Sequence, residues 1–116
     1  MLPKQYRLKK RSAFKATYKV KNSTHSGGVT LFAGRKKTEE IPTKVGFVVS
    51  KKVHKRAVRR NRLKRLMRES YRLLLKDNQL GTSQQHLSLI FVGSTRALNK
   101  DFTYIKGHIK KLLERV

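Results

Sequence analysis

Residues 44–76, KVGFVVSKKVHKRAVRRNRLKRLMRESYRLLLK, decide the architecture because they hold a strand pattern followed by the longest helical pattern in the chain. Apolar side chains alternate with smaller ones over 44–50, as in a half-buried strand. The segment from about Arg56 to Lys76 has no Pro or Gly and is rich in Leu, Arg and Lys, which favour helix. The stretch therefore predicts a strand that leads into a long helix.

The predicted helix has two chemically different faces. The first is mostly apolar and consists of Leu63, Leu66, Met67, Ser70, Tyr71 and Leu74. The second is polar and basic and consists of Asn61, Lys64, Arg65, Arg68 and Arg72. Such a helix packs one side against a core and leaves the other side for phosphates.

Positive charge is concentrated in the same stretch. Residues 51–76 contain twelve Lys and Arg and a single acid, Glu69. A solvated helix face does not need this excess, and like charges four residues apart destabilise a helix. The 116-residue chain has 30 Lys and Arg against 6 Asp and Glu, a formal net charge of +24. We therefore expect a polyanionic partner, held by arginine forks and lysine charges on its phosphates.

The composition excludes several classes of protein. The chain has no Cys, which rules out a disulfide scaffold, a Cys-ligated zinc site and thiol catalysis, and fits a reducing compartment. No segment approaches the roughly 20 apolar residues that cross a bilayer, and the N-terminus lacks a signal-peptide pattern. The length predicts one domain over 1–116, with an extended basic segment at 1–11.

The remaining elements follow from periodicity and from turn residues. In chain order we predict a helix over 13–21 capped by Ser12, a loop over 22–28, strands over 29–33 and 44–50 that form an antiparallel pair, a loop over 77–85, a strand over 87–92, and a last helix capped by Asn99. The order helix, strands, long basic helix, strand, helix indicates an α+β domain.

The first helix leaves two interpretations open. Ala13, Ala16 and Val20 share one stripe, and Phe14 and Tyr18 form a second stripe more than a quarter turn away. Either both stripes are buried, or the small residues pack while the aromatic pair lines a binding surface. The second interpretation favours unstacked nucleic acid, because bases stack on aromatic side chains for about 1–3 kcal/mol each.

No catalytic constellation is present in the sequence. The four histidines, at 25, 54, 86 and 108, lie in different segments, and the six acids form no cluster except the adjacent pair Glu39 and Glu40. We therefore predict no catalytic residue and no metal ligand in this chain. Asn61 between Arg60 and Arg62 adds a donor and an acceptor that can reach a ribose hydroxyl or a base edge.

Two parts of the chain resemble a known family. One part resembles the signature of the bacterial ribonuclease P protein subunit. It consists of Val48-Val49-Ser50-Lys51-Lys52, seven further residues, and then Arg60-Asn61-Arg62-Leu63-Lys64-Arg65. The opening Tyr6-Arg7-Leu8-Lys9-Lys10, followed by Phe14 and Tyr18, is similar to the start of that family. The resemblance covers nearly the whole chain in element order and is specific in the Ser-Lys-Lys and Arg-Asn-Arg block.

The resemblance implies a fold and a role. The fold is a small α+β sandwich like domain 2 of ribosomal protein S5, with a left-handed βαβ crossover that departs from the usual right-handed rule. The partners are the ribonuclease P RNA and precursor tRNA, with no membrane. The RNA, with Mg2+ held by RNA rather than by the protein, removes the 5′ leader hydrolytically. The protein is implied to be a cytoplasmic monomer in a 1:1 complex with the RNA.

The resemblance also implies which residues do the binding. The side chains that face RNA are Lys51, Lys52, Arg56, Arg60, Asn61, Arg62, Lys64, Arg65, Arg68 and Arg72. The side chains that line a cleft for the 5′ leader are Phe14, Tyr18 and Phe32. The chain departs from the family at His54, where many members have Gly, and at Phe32, where a Tyr is expected.

Three other functions compete with this one for a small basic chain. A structural protein of the ribosome explains the charge equally well but leaves the Ser-Lys-Lys and Arg-Asn-Arg block unexplained. A self-sufficient nuclease lacks acid, base and metal ligands in the sequence. A cationic protein of membrane surfaces is disfavoured because the long helix has a core-sized apolar face and the chain has no Trp.

Overall fold

The structure, a computed structural model, describes residues 2–116. The helices are α1 (Arg11–Lys19), α2 (Ala57–Lys76) and α3 (Phe102–Glu114), and the strands are β1 (Asn22–Ser26), β2 (Val29–Ala33), β3 (Lys44–Val48) and β4 (Ser88–Gly93). Short 3-10 turns occupy Lys4–Tyr6, Gly81–Gln85 and Thr95–Ala97. The predicted α+β class, the element order and the long helix from about residue 56 are confirmed.

The four strands form one mixed sheet in the order β1-β2-β4-β3. The β1–β2 and β2–β4 pairs are antiparallel, whereas β3 and β4 are parallel, with Val45 opposite Leu89 and Phe47 opposite Phe91. A parallel pair needs a long crossover, and α2 supplies it. The predicted left hand of this crossover stays a prediction.

The predicted antiparallel pairing of β2 with β3 is wrong, because β4 lies between them. The residues Leu89, Ile90 and Phe91 of β4 are completely buried on both faces of the sheet. Such a strand gains most from the central position, where helices cover both of its faces. The predicted bounds of the strand over 29–33 are confirmed, but its predicted neighbour is not.

The predicted loop over 22–28 is also wrong, since Asn22–Ser26 form the edge strand β1. Its side chains are polar because most of this edge strand is exposed to solvent. Backbone hydrogen bonds to β2, rather than apolar side chains, hold the strand in the sheet. Gly27 and Gly28 have φ of +61° and +89°, and they make the two-residue turn into β2. Positive φ at both central positions is the requirement of the tight turns that join such strands.

One face of the sheet packs on α2 and α3 and makes the core. Leu63, Met67, Tyr71 and Leu74 of α2 are fully buried there, which confirms the predicted apolar face of the long helix. The Tyr71 ring lies edge-on to Phe91, with 6.0 Å between the ring centroids. Burial raises the pKa of Tyr71 to about 12, although its hydroxyl accepts a hydrogen bond from a Gln amide.

The helix starts differ from the predicted caps. The first helix begins at Arg11 without a side-chain cap, so Ser12 lies inside it. The last helix is capped by Asp101, whose carboxylate accepts from the Tyr104 backbone N–H at 2.9 Å. Asn99, the predicted cap, instead accepts a hydrogen bond from Arg59. The long-range partner of Asn99 has no signal in the local sequence.

The other face of the sheet is partly covered by α1. The half-buried Phe14 ring lies over Gly46 of β3, where an added Cβ would come within 2.5 Å of Phe14 Cζ. The buried Thr17 hydroxyl hydrogen-bonds to Ser88 of β4 at 2.5 Å. The prediction that the small residues of α1 pack is wrong, because Ala16 is exposed and Thr17 and Phe14 make the contact.

The N-terminal segment is not a free arm. Leu2 and Leu8 are buried, and the Leu8 N–H donates to the Val45 carbonyl at 2.9 Å. The predicted extended conformation is confirmed at Arg7, which forms a parallel β-bridge with Val45. Residues Lys4–Tyr6 instead form a 3-10 turn. The prediction for Met1 lies outside the described residues.

We predict that Gly46→Ala lowers the free energy of unfolding by about 1–3 kcal/mol, because the new methyl group forces Phe14 and α1 away from β3. Urea unfolding of the full chain measures the change. The matched control is Gly107→Ala in α3, where no heavy atom lies within 4 Å of the added methyl group. That helical substitution should stabilise by about 0.5–1 kcal/mol. Equal urea midpoints for Gly46→Ala and the wild type would contradict the packing of α1.

Candidate nucleic-acid interface

The outer face of α2 and the turn before it hold all ten residues predicted to bind RNA. Seven of them are exposed: Lys51, Lys52, Arg56, Asn61, Arg62, Arg65 and Arg68. Three are half-buried: Arg60, Lys64 and Arg72. The opposite face of the same helix is fixed in the core, so the direction of these side chains is set by packing. We call this set of ten residues the basic face.

Almost none of this charge is neutralised inside the protein. Within residues 2–116, the one salt bridge joins Arg72 to Glu69, one turn apart on α2. Both Glu69 carboxylate oxygens accept hydrogen bonds from Arg72, which lowers the pKa of Glu69 and raises the pKa of Arg72. The other predicted cations have no carboxylate within salt-bridge distance among residues 2–116, whereas the Arg72 guanidinium has Glu69 as its partner.

Two arginines of α2 bind the protein itself. Arg62 donates to the backbone carbonyls of Leu98 and Lys100, at 3.2 Å each, and Arg59 donates to the Asn99 side chain. They hold the connection between β4 and α3 against the start of α2. The sequence identified Arg62 only as an RNA ligand, because backbone carbonyls 36 to 38 residues away leave no pattern in the sequence.

The turn that enters α2 is ordered by a histidine. The Nδ1 atom of His54 accepts the Arg56 backbone N–H at 3.0 Å, and helix begins at Ala57. His54 thus performs a turn-forming role at the position where many relatives are expected to have Gly. The exposed Lys51 and Lys52 precede it and extend the basic face beyond the helix.

The three predicted cleft residues lie together on the open face of the sheet. The rings of Tyr18 and Phe32 meet edge to face, with 4.9 Å between centroids. Phe14 lies one helical turn from Tyr18 on the side that packs over Gly46. Tyr18 is 36% exposed, and partial burial raises the pKa of its phenol. The cleft therefore offers two partly exposed rings, Tyr18 and Phe32, while Phe14 also belongs to the packing of α1.

The floor of this cleft was missed by the sequence interpretation. The register places Thr30, Val48 and Val92 on the same face of the sheet as Phe32, beyond the part that α1 covers. All three are half-buried, so two valine side chains and one threonine lie beside the rings and make a mostly apolar surface. The sequence shows which side chains alternate within each strand. It does not show which side chains of β2, β4 and β3 share a face, because that depends on the order of the strands in the sheet.

A metal site and a membrane span each require a particular grouping of residues. Within residues 2–116, no three His, Asp or Glu side chains lie close enough together to hold a metal ion. No helix in that part of the chain is long and apolar enough to cross a membrane. The arrangement combines a basic helix face with two partly exposed rings, and these are the kinds of group that suit phosphates and unpaired bases.

Comparison with known proteins identifies relatives over the whole length. The family model described as Ribonuclease P matches residues 2–116. The chain is 34% identical over 120 residues to a ribonuclease P protein component of Synechococcus sp. (strain JA-2-3B'a(2-13)), covering 99% of this chain and 84% of that protein. It is 30% identical over 114 residues to the component of Clostridium novyi, covering 98% and 96%.

Solved structures share the fold. The RNase P protein of Staphylococcus aureus superimposes with a TM-score of 0.78 at 24% identity, covering 97% of this chain and 95% of that one. The RNase P protein of Thermotoga maritima gives 0.76 at 24% identity, covering 95% and 96%. At this identity the likeness establishes the α+β architecture.

We predict that Arg62→Ala and Arg65→Ala both weaken RNA binding but differ in stability. Each substitution should flatten the log–log salt dependence of binding by about 0.7–0.9 if it removes one ion pair with a phosphate. Arg62→Ala should also lower the free energy of unfolding by about 1 kcal/mol, because two hydrogen bonds to Leu98 and Lys100 disappear. Arg65→Ala should leave it unchanged. Salt titrations of RNA binding and urea unfolding test the pair, and equal stability of the two variants would refute the structural role of Arg62.

Proposed function

The chain belongs to the ribonuclease P protein family, and we propose on this premise that it binds precursor tRNA together with a catalytic RNA and breaks no bond itself. Its function is that of the family's protein component in tRNA 5′ processing, and its partner in the ribonucleoprotein is RNA. In this proposal the ribonuclease P RNA is the catalyst and precursor tRNA is the substrate.

The observation that carries this proposal is the basic face of α2. Its cations lie in a fixed array, and within residues 2–116 only Arg72 has a carboxylate within salt-bridge distance. A fixed array of unpaired cations suits a folded RNA, whose backbone phosphates are also fixed. The ribosomal alternative explains the charge equally well, but the family match favours ribonuclease P.

The leader is proposed to lie in the aromatic cleft. A single strand that crosses the open face of the sheet meets the exposed parts of Tyr18 and Phe32, with the half-buried Val48 and Val92 beneath it. Stacking on rings tolerates any base, so such a cleft accepts leaders of different sequence. Phe32 retains stacking although it lacks the hydroxyl group of the Tyr expected there.

The proposed reaction is endonucleolytic hydrolysis that removes the 5′ leader and leaves the mature tRNA end. Magnesium would be held by the two RNAs and would supply metal-ion catalysis there. The protein's cations would neutralise phosphates where the RNAs approach each other, which lowers the magnesium concentration that the complex needs. We further propose a cytoplasmic 1:1 complex of the protein with its RNA.

We predict that Tyr18→Ala weakens the binding of precursor tRNA with a 5′ leader about five- to a hundredfold, because one stacked base is worth about 1–3 kcal/mol. Tyr18→Phe should retain most of the affinity, since the ring remains. The matched control is Val20→Ala just beyond the same helix, a residue that is 38% exposed but lies outside the cleft. Affinity for mature tRNA should be the same in all variants, and an equal decrease for leader-bearing and leaderless RNA would contradict the cleft assignment.

We predict that the purified, RNA-free chain stimulates cleavage of precursor tRNA by its cognate RNA at low magnesium. Reconstituted reactions with and without protein measure the leader released at each magnesium concentration. The stimulation should fall as magnesium rises, because the metal takes over the screening of phosphates. Cleavage by the chain alone at the mature end would overturn the assignment of catalysis to RNA.

A further inference from the structure

A second concentration of positive charge lies away from α2, where α3 meets the β1–β2 hairpin. His108 of α3 is at its centre, with Nδ1 2.7 Å from the Ser26 hydroxyl oxygen. The imidazole packs on the Tyr104 ring with 4.4 Å between centroids, and the Tyr104 hydroxyl donates to the Gly27 carbonyl at 3.1 Å. Two side chains of α3 therefore hold the hairpin in place.

The hairpin turn fits closely against this region. A Cβ on Gly27 would collide with the His108 ring, and a Cβ on Gly28 would lie 2.9 Å from Arg96 Cβ. The Ser94 hydroxyl donates to the Gly28 carbonyl at 2.8 Å. Direct backbone contact thus fixes the imidazole and the stem of Arg96 relative to each other.

Three cations from two elements lie near enough to the imidazole to act on its charge. Arg96 comes from the turn before α3, and Lys111 and Arg115 follow His108 at one and two helical turns on the same flank of α3. The Arg115 guanidinium donates to the His25 carbonyl at 2.8 Å, which holds it against β1. We call these four residues, Arg96, His108, Lys111 and Arg115, the His108 cluster.

Among residues 2–116, no carboxylate lies within salt-bridge distance of this cluster. The one salt bridge within residues 2–116 is on α2, so Arg96, Lys111 and Arg115 have no acidic partner at that distance. Burial lowers the pKa of His108, and the charges of Lys111, Arg96 and Arg115 lower it further. Both effects favour the neutral imidazole over the charged form in the free protein.

We propose that the His108 cluster is a second phosphate-binding site, which takes a backbone phosphate of bound RNA. The inference rests on the proposed function, because that function makes RNA the partner. Three cations supply the charge, and Nε2 of His108, which has no hydrogen-bond partner among the described residues, supplies a donor when protonated. The site lies beside β1, the sheet edge opposite β3, so it contacts a different part of the RNA from Lys51 and Lys52.

A bound phosphate changes the titration of His108. An anion among the three cations favours the charged imidazole, so phosphate raises the pKa of His108. Binding then takes up a proton, and affinity at this site increases as the pH falls through that pKa. Two other groups contact the His108 imidazole, the Ser26 hydroxyl and the Tyr104 ring. The Lys100 ammonium lies 5.0 Å from the Tyr104 ring centroid.

An NMR titration of the full chain tests the site directly. The pKa of His108 is measured in inorganic phosphate and in chloride at the same ionic strength. We expect a higher pKa in phosphate, and in Lys111→Gln/Arg96→Gln a smaller difference between the two salts. The same pKa in phosphate and chloride for the wild type would overturn the proposal.

RNA binding supplies the second test. The double variant Lys111→Gln/Arg96→Gln is compared with Lys106→Gln/Lys110→Gln, which removes the same charge from the opposite flank of α3. The first should reduce the log–log salt slope by about 0.7–0.9 for each phosphate that it no longer binds, and the control should keep the wild-type slope. Equal slopes for the two double variants refute the second site while wild-type binding stands. Absence of wild-type binding refutes the proposed function instead.

Discussion

Burial of one side of α2 fixes the arrangement of its charges. Leu63, Met67, Tyr71 and Leu74 are fully buried, and burying such side chains contributes about 1.5–3 kcal/mol each. Repulsion between like charges one turn apart costs only about 0.2–0.5 kcal/mol a pair. The free energy gained by packing therefore outweighs the repulsion between the cations. The helix keeps its buried side in the core, so its basic side stays on the surface. The backbone positions of these cations are therefore set by packing, while each exposed Arg or Lys side chain keeps rotamer freedom that it would lose on binding an anion.

Some of the residues proposed to bind RNA also hold the fold together. Arg62 carries charge to the surface and also holds the connection before α3 through two backbone carbonyls. Phe14 faces the cleft and also packs over Gly46. Both positions proposed to bind RNA therefore also have structural contacts, whereas Arg65 is exposed. The proposed RNA-binding surface thus includes residues that the fold also uses.

Periodicity predicts the elements whose apolar side chains face one core, and it fails where pairing is non-local. The long helix, its buried face and the strand over 29–33 follow from local pattern alone. The central position of β4 does not, because strand order depends on which strand is covered on both sides. The polar pattern of Asn22–Ser26 predicts a loop, but an edge strand is stabilised by backbone hydrogen bonds rather than by its side chains. The predicted basic and aromatic residues do lie together, yet the apolar floor of the cleft needed the sheet order.

The place of β4 has a consequence for synthesis on the ribosome. β2 and β3 flank β4 and do not pair with each other, so neither side of the sheet is complete until residues 88–93 have been translated. Until then α2 has no finished sheet beneath its apolar face, while its arginines are already displayed. While the chain is being made, its most cationic segment therefore precedes the strand that completes the sheet beneath it. The sheet is complete only when β4 has been made, and β4 follows the whole of α2 in the chain.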